Sequence, residues 1–187
     1  VPRMSPNLVT YNTLLDACHN AGELDTALRV KEQLLASGMR SDTRTYTTLI
    51  ATVARKASVA SGANDPSLAF SFLEEMQALD IRPNGMTYSA LVDVCGRCRR
   101  SDLALKGLRL MLDQKAQEQK LLDLKPGSSY TLSSEVGAWT AAINACGKAW
   151  RIDTAVRLFY SMPHFGVYQK TVTCGWLGPA VGGGSFS

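Results

Sequence analysis

The sequence repeats itself with a period of 35 residues, and this feature constrains the fold more than any other. Four similar stretches, "TYNTLLD", "TYTTLIA", "TYSALVD" and "AWTAAIN", each open a unit. An alanine begins the second half of each unit, and a leucine or methionine follows it seven residues later. The aromatic, alanine and last apolar markers of the four units are Tyr11, Ala27 and Leu34; Tyr46, Ala69 and Met76; Tyr88, Ala104 and Met111; Trp139, Ala155 and Met162.

Two of the units carry insertions, because the aromatic markers are spaced 35, 42 and 51 residues apart. Seven extra residues fall within "KASVASGANDPS", between the halves of the second unit, and sixteen fall within "DQKAQEQKLLDLKPGSSYTLSSE", after the third. Both stretches are rich in small, polar or turn residues, as surface loops are. The beginning of the longer one, "DQKAQEQKLLDL", is expected to continue the helix before it.

Each half-unit has the apolar spacing of an α-helix. Gly22 separates the two halves of the first unit and Gly38 ends the second half, as glycines at helix ends do. One helix pair alone cannot bury its apolar face, so pairs must stack, and the sequence predicts an all-α solenoid of helix–turn–helix repeats. The core positions predicted for the first unit are Leu14, Leu15, Cys18, Leu24, Ala27, Leu28, Leu34 and Leu35.

Composition excludes several classes of protein. The chain has 187 residues, 45% hydrophobic and 19% charged, with a net charge of +4 that is compatible with a polyanionic partner but does not require one. Its apolar runs fall short of the roughly 20 residues of a membrane helix. The opening "VPRMSPN" is no signal peptide and lacks an initial methionine, so we expect a segment of a longer protein. No catalytic motif is found, and Glu74 and Glu75 are expected on a solvent-facing helix edge.

The chain has five cysteines, an odd number that favours a reducing compartment. Three of them occupy the same position in the repeat. Cys18, Cys95 and Cys146 all fall at position eleven when the repeats are counted from Leu8, Thr43, Gly85 and Val136. "CGRC" at 95–98 alone suggests a metal or redox pair, but the register indicates buried core residues. A structural zinc site needs four ligands, and His19 and His164 offer no ligand spacing. We therefore expect no bound metal, and the reactivity of Cys98 stays open.

These residues resemble the pentatricopeptide repeat, an RNA-binding solenoid of plant and algal organelles. The resemblance rests on "VTYNTLLDACHNAGELDTALRVKEQLLASGMRSD", on "TYTTLI" through "SFLEEMQALDIRPN", on "MTYSALVDVCGRCRRSDLALKGLRLML" and, more weakly, on "WTAAINACGKAWRIDTAVRLFYSMPHFGV". The tetratricopeptide repeat lacks support because its Trp-Leu-Gly and late proline are missing. The implied division is 1–7, the end of a preceding repeat; 8–42, 43–84 and 85–135, repeats one to three; 136–170, a degenerate fourth repeat; 171–187, a partial repeat or tail.

The resemblance implies a right-handed superhelix that binds single-stranded RNA in a chloroplast or mitochondrion, during processing, stabilisation, splicing or translation. It implies no enzymatic activity, cofactor, membrane or small-molecule substrate, and it allows protein partners within an organellar ribonucleoprotein. The alternative is a helical scaffold that binds proteins of an organellar ribosome or polymerase. The insertions and the degenerate fourth repeat favour the scaffold, whereas intact base-reading pairs favour RNA.

In this family the fifth residue of a repeat faces a base edge together with the last residue. By resemblance the pair Asn12 and Asp42 prefers uracil, and the pair Thr47 and Asn84 prefers adenine. An amide or hydroxyl suits the edge of an unstacked base. Short polar residues also favour helix starts in their own right, so that reading stays open. The fifth residues are Asn12, Thr47, Ser89 and Thr140, and the last residues are Asp42, Asn84, Glu135 and Lys170.

Two further positions are implied to contact RNA. Position two, which clamps the base in this family, holds Val9, Arg44 and Met86, which suit stacking, and Gly137, which does not. Position thirteen holds Asn20 and then the three cations Arg55, Arg97 and Lys148. Recurring on stacked helices, these cations form a row that matches a phosphate backbone. The other explanation is a solvated face where cations favour the helix dipole.

Overall fold

The computed structural model describes residues 6–59, 65–122 and 133–165, and in these ranges it contains helices and no strand. The prediction of an all-α protein is therefore confirmed. The eight α-helices are α1 Leu8–Ala21, α2 Leu24–Ala36, α3 Thr43–Val59, α4 Ser67–Ala78, α5 Gly85–Arg97, α6 Ser101–Leu122, α7 Ser133–Lys148 and α8 Ile152–Ser161, followed by a 3-10 turn over Met162–Phe165.

The helices form two layers. The first helices of the units, α1, α3, α5 and α7, pack on one another in sequence, and we call them the A row. Each also packs against the second helix of its own unit, α2, α4, α6 or α8, which lies on the other side. Consecutive helix pairs therefore share one continuous core, as the predicted solenoid requires.

The starts of the A-row helices are set by a recurring cap. Asn84 accepts a hydrogen bond from the backbone N–H of Thr87 at the start of α5 (2.9 Å), and Asn7 does the same with Thr10 at the start of α1. Asp42 accepts one from the backbone N–H of Thr45 at 2.8 Å and starts α3 in the same way. The last residue of one repeat thus begins the first helix of the next.

The turns within three of the units have one geometry. The residue at repeat position fifteen adopts the left-handed backbone conformation, with φ of 76° at Gly22, 55° at Arg99 and 59° at Trp150. Glycine adopts this conformation freely, whereas arginine and tryptophan do so at some cost. In each turn the carbonyl of the position-eleven cysteine accepts the backbone N–H that closes the helix: Cys18 from Glu23, Cys95 from Arg100, Cys146 from Arg151.

The core lies between the two layers. In the first unit it contains the predicted core positions, with two exceptions. Leu15 and Leu34 are fully buried, but their neighbours Leu14 and Leu35 are 46% and 43% exposed. The prediction that both neighbours face the core was wrong. Leu49 and Leu91, at the position of Leu14 in the next two repeats, are fully buried. Helix α1 differs from α3 and α5 because it is the first helix described, and no earlier helix of the described ranges packs on it. The predicted positions that are buried or partly buried are Leu15, Cys18, Leu24, Ala27, Leu28 and Leu34.

A polar contact at the edge of this core adds to the expectation for Glu75. The Tyr46 hydroxyl donates to its carboxylate at 3.0 Å, and Lys31 Nζ lies 2.5 Å from its second oxygen. Glu75 therefore has partners on α2 and α3, although 37% of its side chain stays exposed, while Glu74 is exposed as expected. Lys31 also lies over the rings of Tyr46 and Phe72. Burial, with the Glu75 carboxylate beside it, raises the pKa of Tyr46.

The position-eleven cysteines are buried, as predicted: Cys18, Cys95 and Cys146 are at most 5% exposed. Burial raises the pKa of all three thiols, to about 12 for Cys95. Cys98 is partly exposed, and burial raises its pKa too. Within the described ranges, no three side chains of the metal-binding types come together as a metal site.

The insertions are described only at their edges. Helix α6 runs to Leu122, so "DQKAQEQKLL" does continue the preceding helix, as predicted. The loop centres at 60–64 and 123–132 lie outside the described residues, as do 1–5, Lys170 and the segment 171–187. None of the helices in the described ranges combines the length and the apolar character that a membrane span requires.

Candidate nucleic-acid interface

A groove runs across the open side of the A row between the second, third and fourth units. It has a volume of about 550 Å³, and α3, α5 and α7 all contribute to its wall. Residues at positions two and five of the repeats line it. They are Thr47, Met86, Ser89, Gly137 and Thr140.

A second groove, of about 510 Å³, adjoins the first. It contains Arg55 and Arg97, two of the three cations predicted to meet phosphates. The two grooves share the wall residues Ala51, Ala90 and Asp93, so they form one continuous surface. The structure therefore brings candidate base-reading residues and candidate phosphate-binding residues together on one side of the A row.

The first predicted base-reading pair is in direct contact. Asn12 Nδ2 lies 3.3 Å from Asp42 Oδ1 and 3.2 Å from Asp42 Oδ2, so the amide donates to the carboxylate. The Thr45 hydroxyl lies 2.8 Å from Asn12 Oδ1 and 2.8 Å from Asp42 Oδ1. Asn12 is only 6% exposed and Thr45 is fully buried. The three side chains form a closed triangle that fixes the orientation of the Asn12 amide.

The hydrogen bonds in this triangle also set the charge of Asp42. Burial acts to raise the pKa of its carboxyl, but hydrogen bonds from the Thr45 backbone, the Thr45 hydroxyl and Asn12 outweigh that effect and lower it. Asp42 is therefore a carboxylate near neutral pH and can only accept hydrogen bonds.

The second predicted pair is joined indirectly. The hydroxyls of Thr47 and Thr87 lie 2.8 Å apart, and the Thr87 hydroxyl donates to Asn84 Oδ1 at 3.0 Å. Thr47 also reaches the carbonyl of Thr43 in its own helix, at 2.7 Å. Thr87 thus stands between Thr47 and Asn84 in the place where Thr45 stands between Asn12 and Asp42.

The third pair differs from the first two. The equivalent of Thr45 and Thr87 is Ala138, which has no hydroxyl, and Glu135 forms an ion pair with Lys115 at 2.6 Å. Ser89 lies directly against the backbone of Gly137, where an added Cβ would come within 2.8 Å of Ser89 Oγ. In the fourth unit the Thr140 hydroxyl donates to the Val136 carbonyl at 2.7 Å.

Position two presents exposed side chains in the first three repeats. Val9 is 70% exposed and Met86 is 61% exposed, which leaves both available to a stacking partner. The Arg44 guanidinium is also exposed, but it forms an ion pair with Asp16 at 2.5 Å. Asp16 accepts a second hydrogen bond from Thr48.

The position-thirteen cations are all exposed, but they differ in their partners. Arg97 Nε lies 2.7 Å from Asp93, one turn earlier in α5. Among the described residues, no ion pair involves Arg55 or Lys148. Asp16 and Asp93 both fall at position nine of their repeats. Each forms an ion pair with an arginine that was predicted to contact RNA, Asp16 with Arg44 and Asp93 with Arg97.

Sequence reasoning missed these carboxylates, and it also missed the threonines Thr45 and Thr87. The signal for the threonines was present: "DTRT" at 42–45 and "NGMT" at 84–87 place threonine three residues after a helix-capping Asp or Asn. No comparable signal marks the role of Asp16, because its arginine partner lies 28 residues away in the next repeat.

Comparison with known proteins gives matches along most of the chain. Models of the pentatricopeptide repeat match residues 6–55, described as the PPR repeat family, 71–117, described as a pentatricopeptide repeat domain, and 137–167, described as a PPR repeat. A pentatricopeptide repeat-containing protein of Arabidopsis thaliana is 34% identical over 119 residues, which are 63% of this chain and 19% of that protein.

Solved structures agree in fold. The maize pentatricopeptide repeat protein PPR10, in complex with an 18-nt psaJ RNA element, aligns over 92% of this chain and 31% of its own, with a TM-score of 0.50 and 19% identity. A PPR10 variant with three cysteines replaced gives the same values. The chain thus spans about a fifth of the Arabidopsis relative and about a third of PPR10. The three models together match more than half of the sequence, in the register of the helix pairs, and the chain belongs to the pentatricopeptide repeat family.

Proposed function

We propose that this segment binds single-stranded RNA and selects bases through the pairs Asn12 with Asp42 and Thr47 with Asn84. The contact between Asn12 and Asp42 carries the proposal, because 30 residues separate them and the fold brings an amide and a carboxylate together beside exposed Val9. An amide held by an acceptor-only carboxylate presents a defined edge to a base. By family resemblance this pair selects uracil and the second pair selects adenine.

Stacking and phosphate contacts would supply the remaining affinity. Val9 and Met86 expose apolar side chains beside the readers, and a base placed against each would lose contact with water. Arg55, Arg97 and Lys148 would meet phosphates, which adds affinity for any sequence. The binding of PPR10 to an RNA element supports this assignment by analogy within the family.

The third and fourth repeats would contribute less to selectivity. Ser89 lacks a hydroxyl neighbour at Ala138, Gly137 offers no clamp, and Glu135 is engaged by Lys115. Two complete readers give little total affinity, so we propose that selectivity in the cell comes from a longer array. The setting we propose is RNA processing, stabilisation, splicing or translation in a chloroplast or mitochondrion, with no catalytic step assigned to this segment.

Fluorescence anisotropy of the chain with labelled single-stranded RNA, at low salt, tests the proposal. We expect binding to single-stranded RNA that weakens with salt, with a preference for U and A at adjacent sites and weaker binding to duplex RNA of the same sequence. Equal binding to duplex RNA and to all single strands would contradict base reading.

The alternative function is a scaffold for proteins of an organellar ribosome or polymerase. The observation that favours it is the set of large apolar side chains exposed near the last described helix, Trp150 at 82%, Ile152 at 56% and Tyr160 at 63%. Exposed apolar surface of this kind is typical of protein-binding sites. A chain that binds no RNA, yet is recovered with ribosomal or polymerase proteins from an organelle extract and loses them in Trp150→Ala, would support the scaffold.

A further inference from the structure

We propose that Thr45 and Thr87, at position three of their repeats, set the base selectivity of the preceding repeats by orienting the residues that read the base. They are positioning residues and need not touch RNA. This inference rests on the proposed function, because it concerns how the same pairs discriminate between bases.

The donor and acceptor pattern of the first triangle shows what Thr45 does. Asp42 accepts only, so Asn12 must turn its NH₂ group toward the carboxylate and its carbonyl toward Thr45. The Thr45 hydroxyl is the polar group at 2.8 Å from that carbonyl in a buried site. Its one proton can go to Asn12 Oδ1 or to Asp42 Oδ1, both at 2.8 Å. Without the hydroxyl both oxygens lose this donor, and the amide is held from the Asp42 side alone.

The second pair depends on its threonine more strongly. Thr47 is joined to Asn84 through Thr87, whose hydroxyl contacts both side chains. Each hydroxyl has one proton to give. When Thr87 donates to Asn84, the Thr47 proton goes either to Thr87 or to the Thr43 carbonyl, and in both cases the Thr47 oxygen is left as an acceptor. Thr87 therefore holds the Thr47 hydroxyl in place beside Asn84 rather than changing its chemistry.

The capping role of these threonines can be separated from the role proposed here. Asp42 caps α3 by accepting the backbone N–H of Thr45 at 2.8 Å, and Asn84 caps α5 through the backbone N–H of Thr87. A valine in either place keeps that backbone donor and the branched shape of the side chain. The hydroxyl is the group that reaches back to the preceding repeat. It also accepts the backbone N–H of the capping residue at 3.3 Å, so valine weakens the capping box as well, and its effect on stability has to be compared with its effect on base preference.

The fourth repeat offers a natural comparison. Ala138 occupies position three there, and no hydrogen bond joins Ser89 to Glu135 among the described residues. Glu135 instead pairs with Lys115. Where the hydroxyl is missing, the fifth and last residues are thus not joined, which is the state that Thr87→Val would create in the second pair. In the first pair the direct contact of Asn12 with Asp42 would remain, and Thr45→Val would remove only the hydroxyl that holds the other side of the amide.

The test compares four versions of the full chain: wild type, Thr45→Val, Thr45→Ser and Thr52→Val. Thr52 is a matched control because it is equally buried in α3 and its hydroxyl donates only to the Thr48 carbonyl. Binding is measured by competition with short single-stranded RNAs that differ at the nucleotide read by the first pair. In Thr45→Val we expect the preference for U over C to fall about threefold to tenfold, the effect of one hydrogen bond. Thr45→Ser and Thr52→Val should keep it.

Two further measurements keep the result decisive. The pKa of Asp42, followed by carboxyl NMR without RNA, should rise in Thr45→Val and stay low in Thr45→Ser. Thr87→Val is the equivalent change for the second base-reading pair and should reduce discrimination at the next nucleotide in the same way. This variant tests the inference even if Thr45→Val folds poorly.

The outcomes separate this inference from the proposed function. A wild-type chain that binds no RNA overturns both. A wild type that discriminates bases, together with valine variants that discriminate equally well or lose affinity for all four bases alike, overturns this inference and leaves the proposed function standing.

Discussion

Ser89 Oγ and the α-carbon of Gly137 lie so close that a methyl group on Gly137 would come within 2.8 Å of the hydroxyl oxygen. Helices α5 and α7 therefore pack closely at this point, and a methyl group on Gly137 would require the Ser89 hydroxyl or the helix to move. The same pair of helices meets closely a second time, where a Cβ on Gly96 would lie 3.1 Å from Ala145 Cβ. The absence of a clamp in the fourth repeat is thus also a packing requirement.

Gly137→Ala should destabilise the chain, because either Ser89 or the helix must move to accept the methyl group. We expect a loss of about 1–3 kcal/mol in the free energy of unfolding, the usual effect of overpacking, measured by urea denaturation. Gly147→Ala is the matched control in the same helix, since nothing lies within 4 Å of its added Cβ. It should be neutral or stabilising by up to about 1 kcal/mol. Equal effects of the two changes would contradict the packing explanation.

The cationic row should contribute affinity without sequence preference. Arg55→Ala and Lys148→Ala should weaken RNA binding equally for all sequences, and each should lower the slope of log affinity against log salt by roughly 0.7. Lys56→Ala is the control, because Lys56 pairs with Asp25 of α2 at 3.2 Å. Salt titrations of binding measure all three. An unchanged slope in the first two variants would show that Arg55 and Lys148 do not contact phosphates.

Asp93 should weaken RNA binding, because it already pairs with Arg97 and adds a negative charge to both grooves. Asp93→Asn should strengthen binding and steepen the salt dependence, since it removes a negative charge from both grooves. Arg97→Ala in the wild type should cost less than Arg55→Ala. Binding isotherms at two salt concentrations measure both effects, and a loss of affinity in Asp93→Asn would show that the carboxylate takes part in binding.

The second base-reading pair can be converted into a copy of the first. Thr47→Asn with Asn84→Asp should shift the preferred base from A to U at one nucleotide, by about threefold to tenfold, with the salt slope unchanged. Stability should be kept, because aspartate caps a helix as well as asparagine does. The reciprocal pair of changes, Asn12→Thr with Asp42→Asn, should shift U to A at the neighbouring nucleotide. If neither double variant changes base preference, the polar residues at the fifth and last positions of the repeats serve only to start the helices.

The Asp42 carboxylate should make stability depend on pH in a defined direction. Its pKa in the folded chain lies below the ordinary value of 3.8, so its contribution is fully present above about pH 4 and is lost as pH falls through the folded pKa. Wild type should therefore lose more stability than Asp42→Asn between about pH 4 and pH 2. Urea denaturation across this range compares the two, and parallel curves would show that the hydrogen bonds do not favour the charged form.

The repeat register allowed much of the fold and part of the site to be predicted, because it compares residues that are far apart in the sequence. It placed Cys18, Cys95 and Cys146 in the core and put the fifth-position residues on one side of the A row. It did not predict that Glu75 contacts Lys31, or that Thr45 contacts Asn12, in the preceding repeat. Contacts between repeats depend on which neighbour a side chain reaches, and a pattern within one helix does not contain that information. The implied roles toward RNA stay predictions.

The ion pair between Lys31 and Glu75 joins α2 of the first repeat to α4 of the second, so each repeat carries half of one interaction. Recombination between genes that cut the array at Thr43 would separate the two charges and leave each in a partly buried site without its partner. The first two repeats are therefore best inherited, or transplanted into another array, as a single block of two. The smallest unit that can be exchanged at this point is therefore two repeats long, even though each repeat would read a single base.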